Sequence, residues 1–283
     1  MRLQNNRLLI LAALAAMLTA CEPQTEPPPA ADTSEGSTAD YLHPDFRLTA
    51  DDLLELTVEQ PESRRSAIFE RPEVFLDLVG RVLDLPYAYT VLVDKQHGLA
   101  ADFVPADLVS LNDYPGLRTT RNDLSLMASI MPMVLAMNEA ARQDGIELVY
   151  ASTYRSYRYQ LGLFATWVER LGQERAEQVS ARAGHSQHQL GTVIDFSPIS
   201  QVFSGTADYV WLQDNAHRFG FSLSYPEGME PVTGYVYESW HWRYIGHDGV
   251  RLQREFFDDV QQYYLEFMHS NRSRLEAARW AHQ

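Results

Sequence analysis

Apolar residues recur at helical spacing in four stretches of the chain. In "EVFLDLVGRVL", Phe75, Leu78, Val79 and Val82 fall on one side, which predicts an amphipathic helix whose simplest role is core packing. Between Leu124 and Ala141, Met127, Ile130, Val134, Met137 and Ala141 form a second stripe, with Asn122 or Asp123 as candidate caps and Gly145 as its end. Pro132 lies inside that stretch and either kinks the helix or marks its true start. A third stripe, Leu161, Phe164, Val168 and Leu171, predicts a helix from about Tyr157 to Leu171 with those four side chains on its buried side and Gly172 as its cap. The fourth runs through Leu252, Phe256, Val260, Tyr263 and Phe267, so residues 249–283 read as helical. "WLQDNAHRFG" reads as a shorter helix ending at Gly220. The stretches "IELVYAS", "FSLSY", "GYVYE" and "HWRYIG" are short and rich in aromatic or β-branched residues, as strands are. Helices and strands mix without a strict βαβ rhythm, which points to the α+β class.

The ends of the chain follow other patterns. Arg2 and Arg7 precede an apolar run from Leu8 to Ala20, too short for the ~20 residues of a spanning helix. Residues 1–20 therefore read as an export signal. The run ends in "LTAC", which resembles a bacterial lipobox with Cys21 as the lipidated residue; an ordinary cleaved signal is the other reading. Residues 21–40 are rich in Pro, Glu, Ser and Thr with few large apolar groups, so they read as a disordered tether behind a membrane anchor. Residues 41–88 form an N-terminal helical extension.

Composition narrows the chemistry. The chain has 283 residues and a formal net charge of −15. Such an acidic protein repels a phosphate backbone, so no nucleic-acid partner is expected. Cys21 is the single cysteine. The exported domain can form no internal disulfide, and a metal site must use His, Asp or Glu.

In "AGHSQHQLGTVIDF", Asp195 follows Val193 and Ile194 and precedes Phe196. An apolar strand seldom tolerates an unpaired acid. His188 lies seven residues earlier, across a turn expected at Gly191. A second cluster, "YESWHWRY", places Glu238 three residues before His241. His188, Asp195 and His241 supply three ligands without thiolate, as hydrolytic zinc sites need. Glu238 is then left over as a general base, taking a proton from the attacking water and passing it to the leaving amine. The alternative makes both histidines ordinary polar or core residues and pairs Asp195 with Arg155 or Arg243. Spacing alone leaves that choice open, because neither cluster has the helical H-E-x-x-H arrangement.

Three blocks in order, "STYRSYRYQ", "GHSQHQLGTVIDF" and "TGYVYESWHWRYIG", resemble the VanY-type D-alanyl-D-alanine carboxypeptidases. These are zinc peptidases of the fold group shared with lysostaphin and the hedgehog signalling domain. Ser186, His188, Gly191 and Asp195 fit the pattern Ser-x-His-x-x-Gly-x-x-x-Asp; Glu238, Trp240 and His241 fit Glu-x-Trp-His. "VLVDKQHGLAADFVPADLV" resembles the family's opening segment, so the likeness spans residues 89–246, with 247–283 a C-terminal helical segment. Thr153 and Ala183 depart from residues frequent in the family and bear on loop shape, not on the metal.

The resemblance implies a small antiparallel sheet with flanking helices and one Zn2+ per chain, held by His188, Asp195 and His241. Glu238 and Arg155 would be catalytic, Arg155 stabilising the oxyanion; its other reading is a salt bridge to Asp195 or Glu238. Ser186 and Gln160 would bind the substrate's terminal carboxylate, and Trp240 would wall the pocket for the terminal alanine or serve as core. The implied activity is release of the terminal D-alanine from peptidoglycan stem peptides by metal-activated water. L,D-carboxypeptidase or endopeptidase action on the same peptides, and a non-catalytic zinc-stabilised binding module, are the alternatives. The expected location is the periplasmic side of a bacterial membrane through a lipid anchor. Glu22, where an aspartate often retains lipoproteins at the inner membrane, leans this towards the outer one.

Overall fold

The computed structural model describes residues 40–280. The expected signal segment, Cys21 and nearly all of the tether lie outside the described residues.

Four helices open the described chain: α1 (Ala50–Thr57), α2 (Glu62–Glu70), α3 (Pro72–Leu83) and α4 (Tyr87–Thr90). Thr49 and Asp52 start α1 with a reciprocal capping box, each side chain accepting from the other's backbone N–H. On α3 the predicted stripe is buried: Phe75, Leu78, Val79 and Val82 are inaccessible to solvent. Strands β1 (Leu108–Ser110), β2 (Arg118–Thr119) and β3 (Ser125–Met127) follow, then α5 (Met131–Gln143). The apolar stretch from Leu124 thus divides. Its first residues are a strand, and Pro132 stands in the first turn of α5, where its missing N–H has no intrahelical acceptor to lose. Pro132 therefore marks the helix start, and neither Asn122 nor Asp123 caps it.

The chain continues through β4 (Val149–Ser152), α6 (Tyr157–Leu171), α7 (Gln173–Val179), β5 (Val193–Phe196), α8 (Ala207–Asn215), β6 (Phe221–Leu223), α9 (Glu230–Thr233), β7 (His241–Tyr244), α10 (His247–Phe256) and α11 (Gln261–Ala278). Helix α6 has the predicted bounds but not the predicted buried side. Leu161 and Leu171 are exposed, and Gln160 is its one buried residue. The reason is that α6 borders a cleft, which Leu163 and Trp167 line, and does not seal a core. "GYVYE" is not a strand: it leaves α9 through Gly234 in the left-handed region and runs as a loop. The C-terminal stripe breaks into α10 and α11 across Asp258 and Asp259, both at positive φ.

Five strands make one sheet in the order β2-β4-β5-β7-β6, antiparallel except for the edge pair β2–β4; β1 and β3 pair separately. The two-residue period of a strand sorts the faces. Ile194, Phe196, Trp242, Tyr244 and Phe221 enter one apolar core with α5 and α8. Asp195, His241 and Arg243 alternate with those residues and point to the opposite face. A second core joins α1–α3 to α10 and α11, with Phe75 packed edge-on against Phe256 and Phe267 at ring separations of 5.2 and 5.6 Å. The stripe on α3 thus builds core, as its periodicity predicts, and α1–α3 together build it with the C-terminal helices, a role the sequence of residues 41–88 as a whole left open. The opening segment docks on the motif loop through Leu99 N–H to the Gly184 carbonyl and through Gln189, whose amide donates to the Ala100 and Phe103 carbonyls.

Candidate metal centre and active site

Asp195 and His241 sit directly opposite one another on β5 and β7. His188 arrives from outside the sheet. A short 3-10 turn, Gln187–Leu190, carries it and ends at Gly191 with φ +70°. A Cβ at that position would also come within 3.0 Å of Leu108, so both backbone conformation and space require glycine. The turn folds His188 back over β5.

The three side chains converge. His188 Nε2 is 3.1 Å from Asp195 Oδ2, and His241 Nδ1 is 3.0 Å from Asp195 Oδ1. All three are buried, and one ligand atom from each lies within 4.8 Å of the others. Two observations test whether a cation fits. First, Asp195 Oδ1 is a buried oxygen that makes no hydrogen bond. Second, each imidazole has an acceptor on its outward nitrogen: the Thr153 carbonyl on His188 Nδ1 at 2.5 Å, the Gln187 amide oxygen on His241 Nε2 at 3.3 Å. Those outward nitrogens carry the protons, so the inward ones present lone pairs. Burial, then the Arg155 charge, pushes His188 down to about 4, which keeps it neutral. Burial opposes the charge of Asp195, yet its carboxyl is held well below the usual range, and with both imidazoles neutral the cation at hand for this is the Arg155 guanidinium. One carboxylate and two neutral imidazoles fit a divalent zinc ion.

Around this set stand the other expected residues. Arg155 Nη2 donates to Asp195 Oδ2 at 2.6 Å and lies 2.9 Å from His188 Nε2, while its Nε donates to Ser152 Oγ. The salt-bridge alternative for Arg155 is therefore present, within a site it also lines. Glu238 Oε2 is 3.4 Å from His241 Nδ1, with a side chain only 14% exposed. Burial, then the Asp195 charge, pushes Glu238 up to about 8; a cation in the site would draw it down. Ser186 and Trp240 line the same cleft, of about 500 Å³, and Trp240 also packs on the first core.

Gln160 is placed differently from its expected role. It is buried and absent from the cleft lining; its amide N–H donates to the Ala181 carbonyl and Ser180 Oγ, and its oxygen faces Arg155 Nη1 at 3.4 Å. It orients Arg155 and leaves no amide atom facing the cleft. Arg243, the other candidate partner for Asp195, is fully buried elsewhere and donates to the Ala88 and Val91 carbonyls.

Sequence reasoning missed a wall of rings behind the ligands. The Tyr225 ring packs tilted against His241 with centroids 4.8 Å apart, Tyr235 packs tilted against Tyr225 at 4.8 Å, and the Lys95 ammonium lies 3.5 Å over Tyr235. Lys95 is the chain's only lysine, and burial pushes it down to about 8. Tyrosines in loops carry no periodic signal. Gln187 lay inside the quoted motif but occupied a spacer position.

Residues 123–247 match the family model of VanY, D-alanyl-D-alanine carboxypeptidase. The putative carboxypeptidase YodJ of Bacillus subtilis is 31% identical over 185 residues, 63% of this chain and 68% of that protein. The chain belongs to the VanY family. This VanY-family chain is accordingly a peptidase of the metallo type. Two solved structures share its fold. The LdcB LD-carboxypeptidase is 32% identical with a TM-score of 0.56, covering 62% of this chain and 84% of that one. A variant of the D,D-pentapeptidase VanY from a VanB-type resistance cassette, in complex with Zn(II), is 26% identical with a TM-score of 0.51, covering 63% and 99%. In this VanY-family chain the buried His188, Asp195 and His241 form, among the described residues, a group able to bind one such ion.

Proposed function

We propose that this protein is a zinc-dependent D,D-carboxypeptidase that removes the terminal D-alanine from peptidoglycan stem peptides. One observation carries the reading: an unmatched carboxylate, Glu238, stands beside a complete His-Asp-His ligand set at the floor of a cleft. Zinc held by His188, Asp195 and His241 would supply a Lewis acid that acidifies water and polarises the scissile carbonyl. Glu238 takes the proton of the attacking water and returns it to the leaving amine. Arg155 donates to the carbonyl oxygen as negative charge builds there, and Gln160 and Ser152 hold the guanidinium in place. Ser186, with no side-chain partner among the described residues, donates to the substrate's terminal carboxylate, and Trp240 bounds the space for the last methyl group.

The likeness to LdcB supports a second reading, L,D-carboxypeptidase action on tetrapeptides. The deciding experiment incubates zinc-loaded protein with purified penta- and tetrapeptide muropeptides and identifies the products by mass. Loss of one alanine from the pentapeptide alone supports the first reading; loss from the tetrapeptide alone replaces it with the second. Internal stem cleavage would indicate an endopeptidase, and no cleavage with zinc bound a binding module, against which the placement of Glu238 and Arg155 argues.

We further propose that residues 1–20 export the chain and that Cys21 is lipidated, tethering the domain at the periplasmic face of the outer membrane. Metabolic labelling with an alkynyl fatty acid and membrane fractionation test this: Cys21→Ser should lose the label and release the protein from the membrane.

A further inference from the structure

A buried polar relay runs from the metal ligand His241 to helix α11. His241 Nε2 faces Gln187 Oε1 at 3.3 Å, and that oxygen also accepts from Ser224 Oγ at 2.8 Å. The Gln187 amide N–H donates to Gln261 Oε1 at 3.5 Å, and Ser224 Oγ lies 3.2 Å from that same oxygen, so the one hydroxyl proton is shared between the two amides. The Gln261 amide N–H donates to the Ser222 main-chain carbonyl at 3.4 Å. All four side chains, His241, Gln187, Ser224 and Gln261, are at most 4% exposed.

The relay has a direction. A main-chain carbonyl only accepts, so the Ser222 carbonyl fixes which end of the Gln261 amide points towards it. Gln261 must then present its oxygen to Gln187. Gln187 in turn must present its nitrogen to Gln261 and its oxygen to His241. His241 is left as donor through Nε2, with the lone pair of Nδ1 turned towards Asp195. With the Gln187 amide reversed, its N–H would meet Nε2, the imidazole proton would move to Nδ1, and that nitrogen would be lost as a ligand.

We propose that Gln261 is a positioning residue for the metal centre: through Gln187 it sets the tautomer and ring orientation of His241. Gln261 opens α11, outside the family-matched residues 123–247. The second core holds α11 against α3, so the N- and C-terminal helices complete the site they flank. The inference rests on the zinc reading of His188, Asp195 and His241.

The test measures zinc affinity by chelator competition, and thermal melting of zinc-free protein, on the full mature chain. Gln187→Leu removes the acceptor and should weaken zinc binding roughly 10–100-fold. Gln261→Leu should weaken it in the same direction by a smaller factor. The double variant should bind zinc no more weakly than Gln187→Leu alone, because Gln261 Oε1 meets Gln187 and Ser224, and Ser224 Oγ in turn bonds the Gln187 oxygen. Gln187→Glu keeps the acceptor for His241 but loses the N–H to Gln261, so it should bind zinc more tightly than Gln187→Leu, which guards against misfolding of the leucine variant. Gln262→Leu is the control: this neighbouring buried amide bonds Asp94 at 2.9 Å and not the relay. It should lower the zinc-free melting temperature without changing zinc affinity. Additive losses from Gln187→Leu and Gln261→Leu, or equal zinc losses from Gln261→Leu and Gln262→Leu, would overturn the inference. A wild-type protein that takes up no zinc would overturn the metal reading with it.

Discussion

Asp195 and His241 face each other in register across β5 and β7, with Oδ1 and Nδ1 3.0 Å apart and buried. Register in an antiparallel pair is fixed by the ladder, so neither residue reaches the site by a flexible loop. Asp195→Asn keeps the shape and removes the charge. It should abolish stoichiometric zinc binding and leave Arg155 without its buried counter-ion. Metal analysis after gel filtration, with thermal melting of the zinc-free form, checks both effects.

Glu238 lies beside the ligand set without belonging to it. Glu238→Gln is therefore expected to keep one zinc per chain while kcat for D-alanine release falls about 10²–10⁴-fold. Turnover at the wild-type rate in the zinc-loaded variant would remove Glu238 as the base.

That His188, Asp195, His241 and Glu238 come together was legible in the sequence because all four stand in two short blocks at fixed spacing. Asp195 announced itself as an acid inside an apolar strand. Helix α3 was legible because Phe75, Leu78, Val79 and Val82 are all buried, so period and burial coincide. Helix α6 misled because its apolar side borders a cleft, and burial there is partial. The strand expected at "GYVYE" failed because aromatic residues also line loops against a site, as Tyr235 does. Gln261 carried no signal at all: its partner Gln187 is 74 residues away, and a buried amide pair leaves no periodic trace.

Arg155 bonds Asp195, Ser152 and Gln160 at once through its three nitrogens. A lysine has no planar fork to reproduce that. Arg155→Lys should lower kcat for D-alanine release by about 10²–10³-fold, the usual loss for one oxyanion donor, with a smaller change in KM. Steady-state kinetics on a pentapeptide separates the two constants. An effect confined to KM would make Arg155 a binding group only.

Acid should act on this protein through His188. Burial disfavours its cation and pushes its pKa from the ordinary histidine value of 6.5 down to about 4 in the folded protein. Below about pH 6.5 the unfolded chain takes up a proton that the folded protein refuses. The stability tied to this group is thus complete above that pH and is lost as pH falls from 6.5 towards 4. Zinc also needs the neutral imidazole, so metal binding weakens in the same direction. The melting temperature of zinc-loaded protein should hold steady near neutrality and drop through that window, with activity following it. A melting temperature equal at about pH 7 and pH 4 would contradict the burial of a neutral ligand.

Phe75 tests the second core. Its ring is inaccessible to solvent and meets Phe256, Phe257 and Phe267 from α10, α11 and the turn between them. Removing the ring leaves a cavity where three separate backbone segments meet, so no single helix can move to fill it. Phe75→Ala should cost about 3–5 kcal/mol, while Phe75→Leu, which keeps most of the volume, should cost much less. Urea denaturation gives both values if the slope is unchanged between variants. Deleting residues 41–88 altogether would uncover the apolar faces of α10 and α11. The shortened chain should then be insoluble or show its C-terminal helices unprotected in hydrogen exchange. A stable, zinc-binding protein without residues 41–88 would mean that the catalytic half folds independently of the helices packed against it.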